Sequence, residues 1–256
     1  LETLGLDSAW RALKKHCPAL SDWGIQTLRR GLDGFAHTAV LEPHYTCKDH
    51  RNLYSQFYSK KFVQSSCYCS RLHFFGTEDV TATRLLADPE SLADSYLGFS
   101  VIRPVRDRCL GRTVLDPARV GRYDGHSSHC LTTRFRAHLA GHEFYVNGYP
   151  YISQDAHANV CAHAALWTVC RYLSTRYSVY KEIYPYDIVG LTGHSRGRTY
   201  PYRGMTFTDY CEILSSAGCH PVLFSLKKTA NGSHAPERFR DLCAYVESGF
   251  PVLASL

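Results

Sequence analysis

One segment constrains the fold more than any other: residues 160–177 contain neither glycine nor proline. Their apolar side chains surround a helical projection instead of forming one stripe; these are Cys161, Ala164, Ala165, Leu166, Trp167, Val169, Cys170 and Leu173. A helix that is apolar almost all round is buried within a domain. The sequence therefore predicts that residues 160–177 form the central helix of a folded domain.

Cys161 lies at the start of this predicted helix, and Asn159 before it is a residue type favoured at the N-cap. The free backbone N–H groups of a first helical turn, together with the helix dipole, favour a thiolate there. Gln154 precedes Cys161 by a short loop, and a glutamine amide can donate to the oxyanion that forms when a thiolate attacks a carbonyl. Cys161 is thus a candidate nucleophile. The other interpretation is a small buried core side chain, which is common for free cysteine.

The residues before the central helix have a different pattern. Residues 7–30 predict two short helices separated by Pro18, and residues 49–62 predict a third helix. Five β-type segments, punctuated by Asp, Gly and Pro, have the sequences TAVLEPHYTC, SRLHFFG, SYLGFSVIRPV, GRTVL and HEFYVNGYPYIS. We therefore predict an α+β protein with a domain boundary near residue 150.

The residues after the central helix predict alternating helices and strands. Helices are expected at residues 206–217 and 235–248. Strands are expected at 220–226 and 250–256, and each continues with Pro-Val-Leu after its first residue. This similarity predicts two strands that join one sheet.

The segment from Gln154 to Trp167, QDAHANVCAHAALW, resembles the active-site segment of papain-like cysteine peptidases. The most similar group is the compact bacterial one related to double-glycine leader peptidases, with a glutamine, a loop, and Cys-x-x-Ala heading the central helix. Gln154, Cys161 and Ala164 occupy these positions, although Ala162 replaces the usual glycine and the Gln-to-Cys spacing is one residue longer than usual. The order of the later elements is also similar, so the resemblance covers roughly residues 150–256.

The resemblance implies a papain-like domain at residues 151–256, with a central buried helix packed on an antiparallel sheet. Residues 1–150 would precede it as a helical arm and β-containing region. The implied activity is thiol-dependent peptide or amide bond hydrolysis, or acyl transfer, on a peptide or protein substrate without a cofactor. Cys161 would be the nucleophile, and Gln154 with the Cys161 N–H would bind the oxyanion. The alternative is an inactive papain-like module that binds or scaffolds a partner.

The catalytic histidine in that layout would lie on a strand after Leu256, so we expect the last strands of the domain to follow that residue. Internal histidines are weaker candidates for the base. His163 points to a different helical face from Cys161, and His157 lies in the preceding loop. His194 and His220 would approach Cys161 only in a different fold.

Two other motifs suggest competing chemistry. Residues 193–197, GHSRG, match the Gly-x-Ser-x-Gly nucleophile elbow, but Pro201 and Gly204 oppose the helix that must follow, so Ser195 is predicted to be a loop residue. Five side chains in the N-terminal region have the chemistry of zinc ligands: Cys47, His50, Cys67, Cys69 and His73. The alternation in CYCSRLHFF favours a strand over a metal site, so we assign no metal.

Composition limits the class of partner and the compartment. The net charge of +6 comes from 29 basic and 23 acidic residues that are interspersed, which argues against a nucleic-acid surface. The most apolar stretch, residues 160–170, is interrupted by His163 and Thr168, so no membrane span is predicted. Eleven cysteines, an odd number in a long chain, favour a reducing compartment and predict a cytoplasmic protein.

Overall fold

A computed structural model describes residues 2–3, 7–62, 64–121, 129–154, 161–191, 205–224 and 236–254. They form an α+β arrangement of helices and antiparallel sheet, as the sequence predicts. The seven strands described are β1 (Glu2–Thr3), β2 (Thr38–Tyr45), β3 (Cys69–Phe75), β4 (Tyr96–Ile102), β5 (Leu110–Leu115), β6 (Thr133–Leu139) and β7 (His142–Gly148). The described helices are α1 (Asp7–His16), α2 (Asp22–Leu32), α3 (Lys48–Gln56), α4 (Ala82–Ala87), α5 (Cys161–Arg176), α6 (Pro185–Leu191), α7 (Phe207–Ser216) and α8 (Pro236–Glu247). Short 3₁₀ helices lie at Tyr58–Lys60 and Glu90–Ser95.

Strands β1 to β5 form one five-stranded sheet in which each strand pairs with its neighbour in the chain. All four pairings are antiparallel. Strands β3 and β4 are buried at almost every position because both faces of the sheet are covered. This double burial explains the nearly continuous apolar run of β4, YLGFSVI, whereas β3 also buries the polar side chains of Arg71 and His73.

Helices α1 and α2 cover one face of the sheet. Trp10, Leu13 and Leu28 of these helices pack against Leu72 and Phe74 of β3. Helix α2 begins after Ser21, whose side-chain oxygen accepts a 3.1 Å hydrogen bond from the Gly24 backbone N–H. The two N-terminal helices predicted from residues 7–30 are thus confirmed.

The hairpin of β6 and β7 covers the other face. Phe135, Phe144 and Val146 point inward and are buried, while alternate residues face solvent. The two-residue turn consists of Ala140 and Gly141, both with positive φ, as a type I′ hairpin requires. Strand β6 was not predicted, although polar and apolar residues alternate in its sequence, TRFRAHL, as is typical of a half-buried strand.

Helix α5 is the centre of the C-terminal part, as predicted. Leu166, Trp167 and Tyr172 are fully buried, and they belong to one apolar cluster with residues of α6 and α7. Helix α5 also packs against β6. The predicted helices at 206–217 and 235–248 correspond to α7 and α8.

The strands predicted at 220–226 and 250–256 are wrong for the residues that can be compared. Residues 220–224 and 250–254 lie in no strand. The β-type sequence is present, but no described segment pairs with either stretch. Val222, Leu223 and Phe250 are instead among the most exposed apolar side chains of the described chain.

The chain does not leave the sheet at residue 150. Tyr151 exchanges two backbone hydrogen bonds of 2.9 Å with Thr113 of β5, and the Ser153 N–H donates to Leu110 O at 3.0 Å. The predicted boundary therefore falls at a segment that is hydrogen-bonded to the N-terminal sheet. The papain-like identity of the residues after it stays a prediction.

Among the helices described, none combines the length and the apolar character needed to cross a bilayer.

Candidate cysteine site at the start of helix α5

Helix α5 begins at Cys161, the predicted nucleophile. The first backbone N–H groups of a helix have no partner within the helix and are available to bind an anion. The sequence predicts Cys161 in this first turn, and Cys161 is the first described residue of α5. Asn159, the predicted N-cap, lies outside the described residues.

Gln154, the predicted oxyanion donor, is exposed to solvent at the end of the segment that pairs with β5. Its neighbour Ser153 is 2% exposed and firmly held. The Ser153 side-chain oxygen lies 2.7 Å from both Arg108 O and Leu110 O. Gln154 therefore projects from a fixed backbone into solvent.

Arg103 is the main side chain that holds this segment. It directly follows β4 and is 1% exposed. Its Nη2 atom donates to Ser153 O at 2.8 Å, to Ser153 Oγ at 3.1 Å and to Arg108 O at 3.0 Å. The guanidinium thus joins the segment that contains Gln154 to the turn between β4 and β5.

Asp49 on α3 anchors the other half of the candidate site, helix α5. Its Oδ1 atom accepts from Trp167 Nε1 at 3.2 Å and from Arg171 Nη2 at 3.1 Å. Its Oδ2 atom accepts from Arg112 Nε at 2.9 Å and Arg112 Nη2 at 2.6 Å. One carboxylate of the N-terminal region therefore binds α5 at two positions and β5 at a third.

The environment of Asp49 keeps it ionised. Its side chain is fully buried, and burial alone would raise the pKa of the carboxyl. The charges of Arg112 and Arg171, with hydrogen bonds from Arg112 and Trp167, outweigh burial and hold that pKa below its ordinary value. Arg171 also bonds to Glu182, which balances the second guanidinium.

Two of the histidines considered as the base, His163 and His220, lie within the described residues. His163 is buried on α5, two residues after Cys161. His220 is exposed and begins no strand, contrary to the prediction. His157 and His194 lie outside the described residues, so the identity of the base stays a prediction.

The structure describes the five zinc candidates but not the competing serine motif. Residues 193–197, with Ser195, lie outside the described residues. Within the part of the chain that the structure describes, no three His, Cys, Asp or Glu side chains are grouped as a metal would require. The five zinc candidates contact protein groups of the N-terminal region instead.

The zinc candidates have these contacts, in addition to a hydrogen bond between the side chains of Cys47 and Cys69. Cys47 Sγ contacts Asp49 Oδ2 at 3.8 Å, and His50 Nε2 lies 2.9 Å from Ser66 O. Cys69 and His73 are buried on β3, while Cys67 precedes that strand and is partly exposed. His73 Nδ1 lies 2.9 Å from the Tyr96 hydroxyl, and its Nε2 lies 3.5 Å from Glu42 Oε2. Cys69 and His73 are thus core residues of the sheet, as the alternating sequence predicted.

Comparison with known proteins identifies no relative: no family model, no curated protein and no solved structure matches the chain. The case for a function therefore rests on this chain's own residues.

Two residues of the site were not found from the sequence. Asp49 contacts Arg171 from 122 positions away, and Arg103 contacts Ser153 from 50 positions away. No local motif marks either residue. Acidic residues are common in the first turn of a helix because they interact favourably with the helix dipole. Asp49 in the first turn of α3 therefore gives no indication from the sequence that it binds arginines in the interior.

Proposed function

We propose that this protein is a thiol-dependent peptidase or acyl transferase that acts on a peptide or amide bond, with Cys161 as the nucleophile. The observation that carries the proposal is that Cys161 is the first residue of the buried helix α5. A thiol at this position gains from the helix dipole and from unpaired backbone N–H groups. The exposed side chain of Gln154, on an anchored segment of the same chain, supports it.

In the proposed reaction, the Cys161 thiolate attacks the carbonyl carbon of the substrate. The carbonyl oxygen takes up negative charge, and the Cys161 N–H and the Gln154 side-chain amide donate to it. Collapse of this intermediate expels the amine and leaves a thioester, which water or a second amine then cleaves. By the resemblance, a histidine takes the thiol proton and gives it to the leaving amine.

The experiment is a cleavage assay on a library of peptides from a digested proteome, with products identified by mass spectrometry. We expect new termini with the wild-type protein and none with Cys161→Ala at equal concentration. Cys170→Ala is the matched control, because it removes a thiol from the same helix and should retain cleavage. Cleavage that persists in Cys161→Ala would refute the proposal.

The second candidate is a papain-like module that binds a partner without catalysis. The exposed apolar side chains of residues 220–224 and 250–254 favour it, since apolar patches of this kind often mark contact surfaces. In this case Cys161 would be a structural residue. Absence of cleavage, together with a Cys161 thiol that reacts only after unfolding, would establish this second function over the first.

A further inference from the structure

Arg103 combines nearly complete burial with contacts to two short segments, the turn that contains Arg108 and the segment that contains Ser153. A guanidinium is costly to bury, and hydrogen bonds offset part of that cost. At 1% exposure, Arg103 places three hydrogen bonds from Nη2 on Ser153 and Arg108. These bonds fix the backbone one residue before Gln154.

The sheet is built to admit this side chain. A Cβ atom on Gly111 of β5 would lie 3.0 Å from Arg103 Cγ and 3.2 Å from Val101 Cγ1. The absence of a side chain at residue 111 therefore leaves room beside the stem of the Arg103 side chain. The Ser153 N–H, bonded to Leu110 O at 3.0 Å, fixes the same residue from its other side.

We infer that Arg103 is a positioning residue, which holds Ser153 so that the adjacent Gln154 side chain is aimed at the oxyanion formed on the carbonyl that Cys161 attacks. This inference rests on the proposed function. An oxyanion donor contributes only when it is held in place before the reaction. Arg103 would act through Gln154 and would not touch the substrate.

Two small reagents, one that forms an oxyanion and one that does not, distinguish a misplaced oxyanion donor from a general change in the reactivity of the thiol. In p-nitrophenyl acetate, Cys161 Sγ bonds to the carbonyl carbon, the π pair moves to oxygen, and collapse expels p-nitrophenolate to leave a thioester. With iodoacetamide, the same sulfur displaces iodide from a methylene carbon, and no oxyanion forms. The ratio of the two rate constants at Cys161, measured by peptide mass spectrometry at one pH, therefore reports on the oxyanion donor.

We expect Gln154→Ala to lower acetylation of Cys161 about 100-fold and to change alkylation less than about twofold. Arg103→Met should lower acetylation about tenfold or more, again with little change in alkylation. Arg103→Lys should restore part of the loss, since an ammonium keeps the charge but has a different donor geometry. In the Gln154→Ala background, Arg103→Met should add less than about twofold.

The control is Arg71→Met. Arg71 is also a buried arginine, but it bonds to Glu42 and to the hairpin, so its loss should leave the ratio of the two rates unchanged. If Arg103→Met does not fold, Arg103→Lys and Ser153→Ala carry the test. Ser153→Ala removes one of the contacts of Arg103 and should lower acetylation in the same direction by less.

The outcomes distinguish the positioning role of Arg103 from the proposed function of Cys161. Positioning by Arg103 is wrong if Gln154→Ala lowers the ratio and the Arg103 variants do not. It is also wrong if Arg103→Met lowers acetylation equally with and without Gln154. If Gln154→Ala has no effect while Cys161 is still acetylated, the donor role of Gln154 and the inference are wrong, and the role of Cys161 stands. If wild-type Cys161 is not acetylated, the proposed function fails and the inference fails with it.

Discussion

The carboxylate of Asp49 lies 3.1 Å from the guanidinium of Arg171, although 122 residues separate them in the chain. Asp49 belongs to α3 beside the N-terminal sheet, and Arg171 belongs to the buried helix α5. Both side chains are at least 96% buried, with 2% and 4% exposure. The helix that begins at Cys161 is therefore attached to the N-terminal region by an ion pair in the interior.

Asp49→Ala should destabilise the protein strongly. The substitution would leave Arg171 and Arg112 without their shared carboxylate, and breaking a buried pair on one side costs about 3–5 kcal/mol. The free energy of unfolding from urea titration, followed by far-UV circular dichroism, measures this loss. Asp49→Asn should cost less, because the amide keeps one acceptor oxygen.

The control for Asp49 is Asp22→Ala, which removes an exposed partner of Lys14. The Asp22 side chain is 79% exposed. Exposed ion pairs contribute about 1 kcal/mol or less, so this variant should stay close to wild type. Equal losses from the two substitutions would contradict the importance assigned to the buried network.

His73 should make the protein less stable as the pH falls below about 6.5, the ordinary histidine pKa. Burial, the largest effect, holds the pKa of folded His73 below that value despite the neighbouring Glu42. Between the two pKa values the unfolded chain binds a proton that the folded protein does not. Unfolding is therefore favoured progressively as the pH falls, by at most about 1.4 kcal/mol per pH unit.

The measurement is the free energy of unfolding in urea at several pH values between 5 and 8. His73→Gln should flatten the dependence below pH 6.5, even though it lowers stability overall by removing contacts with Tyr96 and Glu42. His138→Gln is the control, since that ring is 56% exposed on the hairpin. An unchanged slope in His73→Gln would show that other groups cause the dependence.

Local patterns in the sequence were sufficient to predict the helices and strands that are buried on all sides. The segment at 160–177 is apolar on all sides, and α5 is accordingly buried; the apolar run at Tyr96–Ile102 likewise became a central strand. The N-terminal position of Cys161 in α5 was predicted because Asn159 and the helical pattern are adjacent in the chain. These features depend on residues within one or two helical turns.

Long-range partners could not be predicted in the same way. A β-type sequence becomes a strand only where another strand can pair with it, and residues 220–224 have no such partner among the described residues. The contacts of Asp49 and Arg103 depend on where the sheet brings distant segments together. Both residues have polar side chains that a sequence pattern assigns to the surface.

Gly98→Ala should be severely destabilising because β4 and β5 approach closely at that residue. A Cβ atom on Gly98 would lie 2.1 Å from Val114 O, and the backbone φ of +129° is unfavourable for other residues. Conformational strain and steric overlap together should cost about 3 kcal/mol or more, measured by urea unfolding. Gly190→Ala on α6 is the control; its Cβ meets no atom within 4 Å, and it should stabilise by about 0.5–1 kcal/mol.

Cys161 should react with iodoacetamide at lower pH than Cys170, although both lie on α5. Thiolates are favoured at the first turn of a helix, so we expect the reaction of Cys161 to be half-maximal below about pH 8.5, the reference thiol pKa. Burial raises the pKa of Cys170 to about 12, and its side chain is 2% exposed, so it should be alkylated only after unfolding. Peptide mass spectrometry across pH separates the two sites. A Cys161 thiol that is as unreactive as Cys170 in the folded protein would contradict its role as a nucleophile and favour the binding module.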